Sequence, residues 1–155
     1  SVLEPGRALF SAADRPVSDT ALERWGRDNI PGFAGVSDRT HFPRVLHPGD
    51  SFIINLDPHY RRGGTHWCGV YATRRARAYF YIDPFGLSPP SDVTRAAWAQ
   101  GLEVYRSDVR WQDFSENNCG PRVLSYLYQM ATARDDVRAF FTICGEPHRR
   151  RLPDD

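Results

Sequence analysis

The chain has 155 residues, of which 41% are hydrophobic and 25% charged. That is enough apolar material for one domain with its own core, and it excludes a disordered tail, a collagen-like fibre and a disulfide-dense miniprotein. The net charge of +1 is too small for global electrostatics to announce a nucleic-acid binder.

The 20 basic residues are all Arg and none is Lys. Arg suits planar, bidentate contacts to phosphate or carboxylate, although a G+C-rich gene produces the same bias. The three cysteines, Cys68, Cys119 and Cys144, cannot all pair. The opening residues show no signal-peptide pattern, so the cysteines are expected as thiols in a protein that is not secreted. No apolar run reaches the roughly 18 residues of a membrane helix, so no membrane partner is expected.

In chain order, residues 1–17 read as an irregular segment, broken by Pro5, Gly6 and Pro16. Thr20-Ala-Leu-Glu23 has capping-box spacing and opens a short helix with Leu22 and Trp25 inward, which Gly26 should stop. Residues 29–50 read as a Pro- and Gly-rich loop region. Ser51–Leu56 is a buried strand, and 57–64 a turn ending in Gly63-Gly64. His66–Thr73 and Ala78–Ile82 pair as a hairpin across Arg74-Arg75-Ala76-Arg77, and Asp83-Pro84-Phe85-Gly86 ends it.

Ser91 should cap a helix running to Gln100, and Glu103–Arg110 is a fourth strand. Asn117-Asn118 should cap the longest helix, Cys119–Ala133, whose Val123, Leu124, Leu127, Tyr128 and Ala131 share one face. A last helix covers Asp135–Ile143, and residues 146–155 form a mobile tail. Trp25, Trp98 and Trp111 are expected in the core, with Cys68 and Cys144. The fold class is therefore α+β: a single domain with a mainly antiparallel mixed sheet flanked by helices.

Chemistry concentrates on four residues. Cys119 sits in the first turn of a helix, where unpaired N–H groups stabilise a thiolate, the reactive form of the side chain. His66 begins a strand just after Gly63-Gly64, where an imidazole can reach a neighbouring element as general base. If the hairpin turn centres on Arg75-Ala76, Asp83 falls opposite Cys68, with His66 its diagonal neighbour on the same face, so Asp83 can orient the imidazole. Gln112 precedes Cys119 by seven residues, and its amide can join the Cys119 backbone N–H as an oxyanion hole. Taken singly, each has a plainer structural reading. Zinc at His59, His66, Cys68 and Cys119 lacks ligand spacing, so no metal site is expected.

In order and spacing these residues resemble the adenovirus-type maturation proteases (adenain-like cysteine proteases). Gly64-Thr-His66-Trp67 and Tyr79-Phe-Tyr-Ile-Asp83-Pro-Phe-Gly86-Leu-Ser88 are similar to the His and acid segments of that family. Gln112-Asp-Phe-Ser-Glu-Asn-Asn-Cys119-Gly120 is similar to its Gln…Cys-Gly segment, and Pro31-Gly-Phe33-Ala-Gly35-Val36 to its N-terminal region. The resemblance spans residues 20–130. It implies a cysteine endopeptidase cutting after small residues such as Gly, with Cys119 as nucleophile, His66 as general base, Asp83 orienting it and Gln112 supporting the oxyanion. Trp67 and Gly64 would border a narrow substrate cleft.

The resemblance further implies a monomer in the virion and infected host cell (nucleus or cytoplasm) that processes capsid and core precursors. The chemistry itself would need no cofactor. It also implies activation by DNA and by a short viral peptide, which makes Arg61, Arg62, Arg74, Arg75 and Arg77 the first places to look for DNA contacts. No cysteine lies around Glu103–Ser107, so a disulfide-linked activator is not expected. Asp83 stands where adenovirus enzymes carry Glu, and the related ubiquitin-like-protein proteases commonly carry Asp. Deconjugation of ubiquitin-like proteins is therefore the alternative reading. An acyltransferase with the same His-acid-Cys layout and a non-catalytic DNA-binding module stand behind it.

Overall fold

The computed structural model describes residues 18–56, 66–107 and 119–145, with the side chain of Cys119 outside that description. Its elements are α1 (Asp19–Asn29), β1 (Phe33–Asp38), a 3-10 turn at Arg39–His41, β2 (Ser51–Asn55), β3 (Trp67–Ala72), β4 (Ala78–Ile82), α2 (Ser91–Ala99), β5 (Glu103–Arg106), α3 (Cys119–Thr132) and α4 (Asp136–Gly145). The strands form one five-stranded sheet in the order β1-β2-β3-β4-β5. The central pairs β2–β3 and β3–β4 are antiparallel, and the outer pairs β1–β2 and β4–β5 are parallel. The molecule is α+β with a mixed sheet and helices on both faces.

Alternation along β3 shows how the sheet divides the core. Trp67 and Tyr71 point to the face covered by α1, α3 and α4, with Leu22, Val123, Leu124, Leu127 and Phe140. Cys68, Val70 and Ala72 point to the other face, with Val93 and Ala97 of α2. All of β3 and β4 is buried, as expected of strands covered by helices on both sides. Gly69 allows the close approach of α3: a Cβ there would stand 2.7 Å from Val123 Cγ1.

Four local expectations are corrected. The N-cap of α1 is Ser18, whose Oγ accepts the Ala21 N–H at 3.1 Å, so the Thr20-to-Glu23 spacing is not used as a capping box. Gly26 does not stop that helix but lies within it, because the Phe33 ring occupies the space of a side chain, 2.6 Å from where a Cβ would be. The 29–50 loop contains a strand: β1 is an edge strand with a register shift between Phe33 and Val36, and Gly35 at φ 142° lies in that irregularity. In α2 the cap is Pro90, one residue before Ser91, with no side-chain bond.

Trp25 packs against the core, but Trp98 is 65% exposed. Val93 and Ala97 carry the buried stripe of α2, and the next residue is turned about 100° away from it. The irregular N-terminus, the 57–64 turn, the 146–155 tail, Trp111 and the Asn117-Asn118 cap lie outside the described residues.

Candidate active site

Three element ends meet at one end of the sheet. His66 immediately precedes β3 and Asp83 immediately follows β4. The ladder pairs Gly69 with Ile82, so the antiparallel register continues to Cys68 opposite Asp83 and makes His66 the diagonal neighbour. The imidazole Nε2 lies 3.0 Å from both Asp83 oxygens. A carboxylate only accepts hydrogen bonds, so at this contact the Nε2 N–H is the donor.

Asp83 itself is held on several sides. It has no solvent exposure. Its Oδ1 accepts the Phe85 N–H at 2.8 Å, and its carbonyl accepts the Gly86 N–H at 2.8 Å. Asp at the first position, Pro at the second and Gly at the fourth suit such a turn, and Gly86 adopts φ 74°. The Asp83 N–H donates to Ser107 Oγ at 3.3 Å. The Phe85 ring stands against the imidazole with centroids 4.8 Å apart and planes at 65°. One turn therefore fixes the carboxylate and braces the ring that it orients.

Cys119 opens α3. Gly120 reports where that opening lies, because a Cβ on it would stand 3.0 Å from Trp67 Cε3 and 3.1 Å from both Leu22 methyl groups. The residue after Cys119 is thus packed on the residue after His66. The first turn of α3 contains no acidic residue. Arg122, one turn on, has its Nε buried with no hydrogen-bond partner among the described residues. The positive end of the helix favours an anion at the start of α3.

Trp67 is 3% exposed, and its indole N–H donates to Asp19 Oδ1 at 2.7 Å. Cys68 is fully buried on the α2 face, with Sγ 3.8 Å from the Ile54 carbonyl. Cys144 is partly buried against the opposite core cluster. Gln112, Gly64, Arg61 and Arg62 lie outside the described residues. Among the described residues, no three His, Cys, Asp or Glu side chains converge in a way that could hold a metal ion.

The remaining arginines of the sequence reading stand at the other end of the hairpin, roughly 20–25 Å along the strands at ~3.3 Å per residue. Arg74 is committed internally. Its Nε lies 3.0 Å from the Tyr71 hydroxyl and 3.3 Å from Asp136 Oδ2, and its Nη2 donates to the Met130 and Ala133 carbonyls. Arg75 pairs with Asp135 at 3.6 Å, and Arg77 donates to the Gln100 carbonyl at 3.3 Å.

Asp136 is fully buried and accepts from the Tyr71 and Thr73 hydroxyls and the Arg74 N–H at 2.7–2.8 Å. Burial alone would push its carboxyl up. The Arg74 N–H, the two hydroxyls and the Arg74 guanidinium outweigh that and hold it below the ordinary carboxylate value.

The sequence reading did not find Asp19, Ser107, Arg122 or the bracing role of Phe85. Phe85 belongs to a recognised turn, and its side chain next to the imidazole follows from the hairpin register. Asp19 and Ser107 carry no local signal, since their partners are 48 and 24 residues away.

No family model and no curated protein matches the sequence. Among solved structures, one of the SUMO protease Ulp1 with its catalytic cysteine oxidised to a sulfenic acid is similar at 12% identity and a TM-score of 0.49, covering 93% of this chain and 81% of that one.

Proposed function

We propose that the protein is a cysteine endopeptidase working through Cys119, His66 and Asp83. The Cys119 thiolate, paired with protonated His66, attacks the peptide carbonyl. His66 then protonates the leaving amine, and water activated by the same imidazole hydrolyses the thioester. The Cys119 backbone N–H and the Gln112 amide hold the developing oxyanion, each such donor being worth about 3 kcal/mol. The observation that carries this reading is the His66–Asp83 pair, at 3.0 Å to both oxygens, at the sheet end where Gly120 packs on Trp67. A buried carboxylate aimed at one nitrogen of a part-exposed imidazole is the arrangement a general base requires.

The proposed substrates are polypeptides cut after small residues such as Gly, with capsid or core precursors processed during virion maturation in the infected cell. Gly64 is the proposed border of the cleft, whereas Trp67 drops out of that role because its ring is buried in the core against Gly120. Removal of ubiquitin-like proteins is the second reading, favoured by Asp rather than Glu at position 83. Activation by DNA would use Arg61, Arg62, Arg75 and Arg77. Arg74 drops out of that set because its guanidinium is occupied by Asp136 and the end of α3.

The test compares wild type, Cys119→Ala and Cys68→Ala on Gly-containing precursor peptides and on a folded ubiquitin-like conjugate. Loss of cleavage on both substrates in Cys119→Ala alone is expected. Activity in Cys119→Ala, or its loss in Cys68→Ala with the fold intact, overturns the assignment. Faster cutting of the folded conjugate selects the second reading.

A further inference from the structure

Asp19 lies at the surface, in the first turn of α1, a long way along the chain from every residue of the proposed triad. Its Oδ1 nevertheless accepts the Trp67 indole N–H at 2.7 Å and lies 3.4 Å from the Asn55 Nδ2. Trp67 is the residue after His66, and Asn55 is its register partner across β2 and β3. On its other side, the Trp67 ring meets Gly120, the residue after Cys119, with only 3.0 Å between Trp67 Cε3 and the place a Gly120 Cβ would take. Leu22, one turn after Asp19 on α1, closes the same contact at 3.1 Å.

The starts of α1, β3 and α3 are therefore tied through one indole ring. The ring is buried, and its indole N–H is anchored on the Asp19 carboxylate.

We propose that Asp19 is a positioning residue for the nucleophile. By fixing the Trp67 indole it sets where α3 begins, and so how far Cys119 stands from His66. This rests on the cysteine-protease reading and adds to it a surface carboxylate that touches neither substrate nor the reacting atoms. A sulfur placed about 1 Å too far from its base loses up to about 10²-fold in rate, because the near-attack geometry is populated less often.

The experiment uses Asp19→Ala, Asp19→Asn and Trp67→Phe in the full chain. Each is assayed for kcat and KM on a Gly-site peptide and for the rate of Cys119 alkylation by iodoacetamide at pH 6, which reads thiolate–imidazole pairing without requiring cleavage. Asp19→Ala is expected to lower kcat by about 10- to 100-fold with KM within about 3-fold, and to slow alkylation in parallel. Asp19→Asn keeps an oxygen that can accept the indole N–H, so it should restore both to within about 3-fold.

Trp67→Phe removes the donor and keeps a ring. Adding Asp19→Ala to it should change little further, and this cycle still decides the matter if Asp19→Ala alone is poorly folded. Wild-type kcat and alkylation in Asp19→Ala, an Asn variant no better than Ala, or additive losses in the cycle would overturn the proposal. Cleavage surviving Cys119→Ala would instead overturn the protease reading, and is scored separately.

Discussion

Replacing Gly120 with Ala adds one methyl group at the most constrained contact of the site. The new Cβ would stand 3.0 Å from Trp67 Cε3 and 3.1 Å from Leu22 Cδ1 and Cδ2, where carbon atoms prefer about 3.5–4.0 Å. The neighbours would have to give by a few tenths of an ångström. Trp67 cannot yield easily, because its indole N–H is held at 2.7 Å by Asp19, and Leu22 is fully buried. The start of α3 must therefore lift away from the sheet by several tenths of an ångström and carry Cys119 with it.

Overpacking of this kind costs about 1–3 kcal/mol of stability, and the displacement should cost about 10- to 100-fold in kcat. The assay is peptide hydrolysis alongside thermal unfolding, with Gly145→Ala as control, since a Cβ at Gly145 meets nothing within 4 Å. A Gly120→Ala enzyme with wild-type kcat and a lowered Tm would refute the rigid link between Trp67 and the nucleophile.

Further outcomes follow from the same geometry. Cys68→Ala should keep kcat within about 3-fold and cost about 1 kcal/mol of stability, as a buried side chain outside the chemistry, checked by kinetics and urea unfolding. Asp136→Ala leaves the Tyr71 and Thr73 hydroxyls and the Arg74 guanidinium without their buried acceptor, so it should cost about 3–5 kcal/mol and lower Tm by roughly 10 °C. Because the Asp136 carboxyl is held below its ordinary value, its stabilisation is fully present above the unfolded carboxylate pKa of about 4. It is lost as pH falls through the lower folded value. Wild type should thus unfold more readily as the pH drops below about 4, and Asp136→Asn should flatten that part of the Tm–pH curve. If DNA activates cleavage, Arg75→Ala/Arg77→Ala should reduce both the activation and its salt dependence, whereas Arg74→Ala should mainly lower Tm.

How much could be read in advance depended on where each residue's partners lie. The hairpin was legible because β3, β4 and their five-residue connection are local in sequence. Centring the turn on Arg75-Ala76 places Asp83 opposite Cys68, and the observed Gly69–Ile82 pairing agrees. The long helix was legible from its 3.6-residue periodicity. β1 was not, because an edge strand with Gly35 in an irregularity satisfies its bonds with one neighbour only and needs no strong apolar alternation. Gly26 was misread for a related reason: its lack of a side chain serves the Phe33 ring rather than the end of a helix. Arg74 looked like a surface cation in a basic run, and only the fold brings Asp136, 62 residues on, to its backbone N–H.

The proposed chemistry stands where the regular elements stop. Inside β3 and β4 every side chain is buried, so a reactive group there would have support but no access. One residue beyond each ladder, His66 and Asp83 have left the strand pattern while their backbones are still anchored. The Leu56 N–H donates to the His66 carbonyl at 2.8 Å, and the Asp83 N–H is held by Ser107. Antiparallel pairing brings the start of β3 beside the end of β4, so residues 17 apart meet without a long loop. The pairing of Gly69 with Val123 and of Trp67 with Gly120 lays α3 along β3 with its positive end at the same place. The contacts that stabilise the sheet and the contacts that aim the imidazole and the helix are therefore the same ones. Small changes at Gly120, Trp67 or Asp19 should for that reason register in rate before they register in fold.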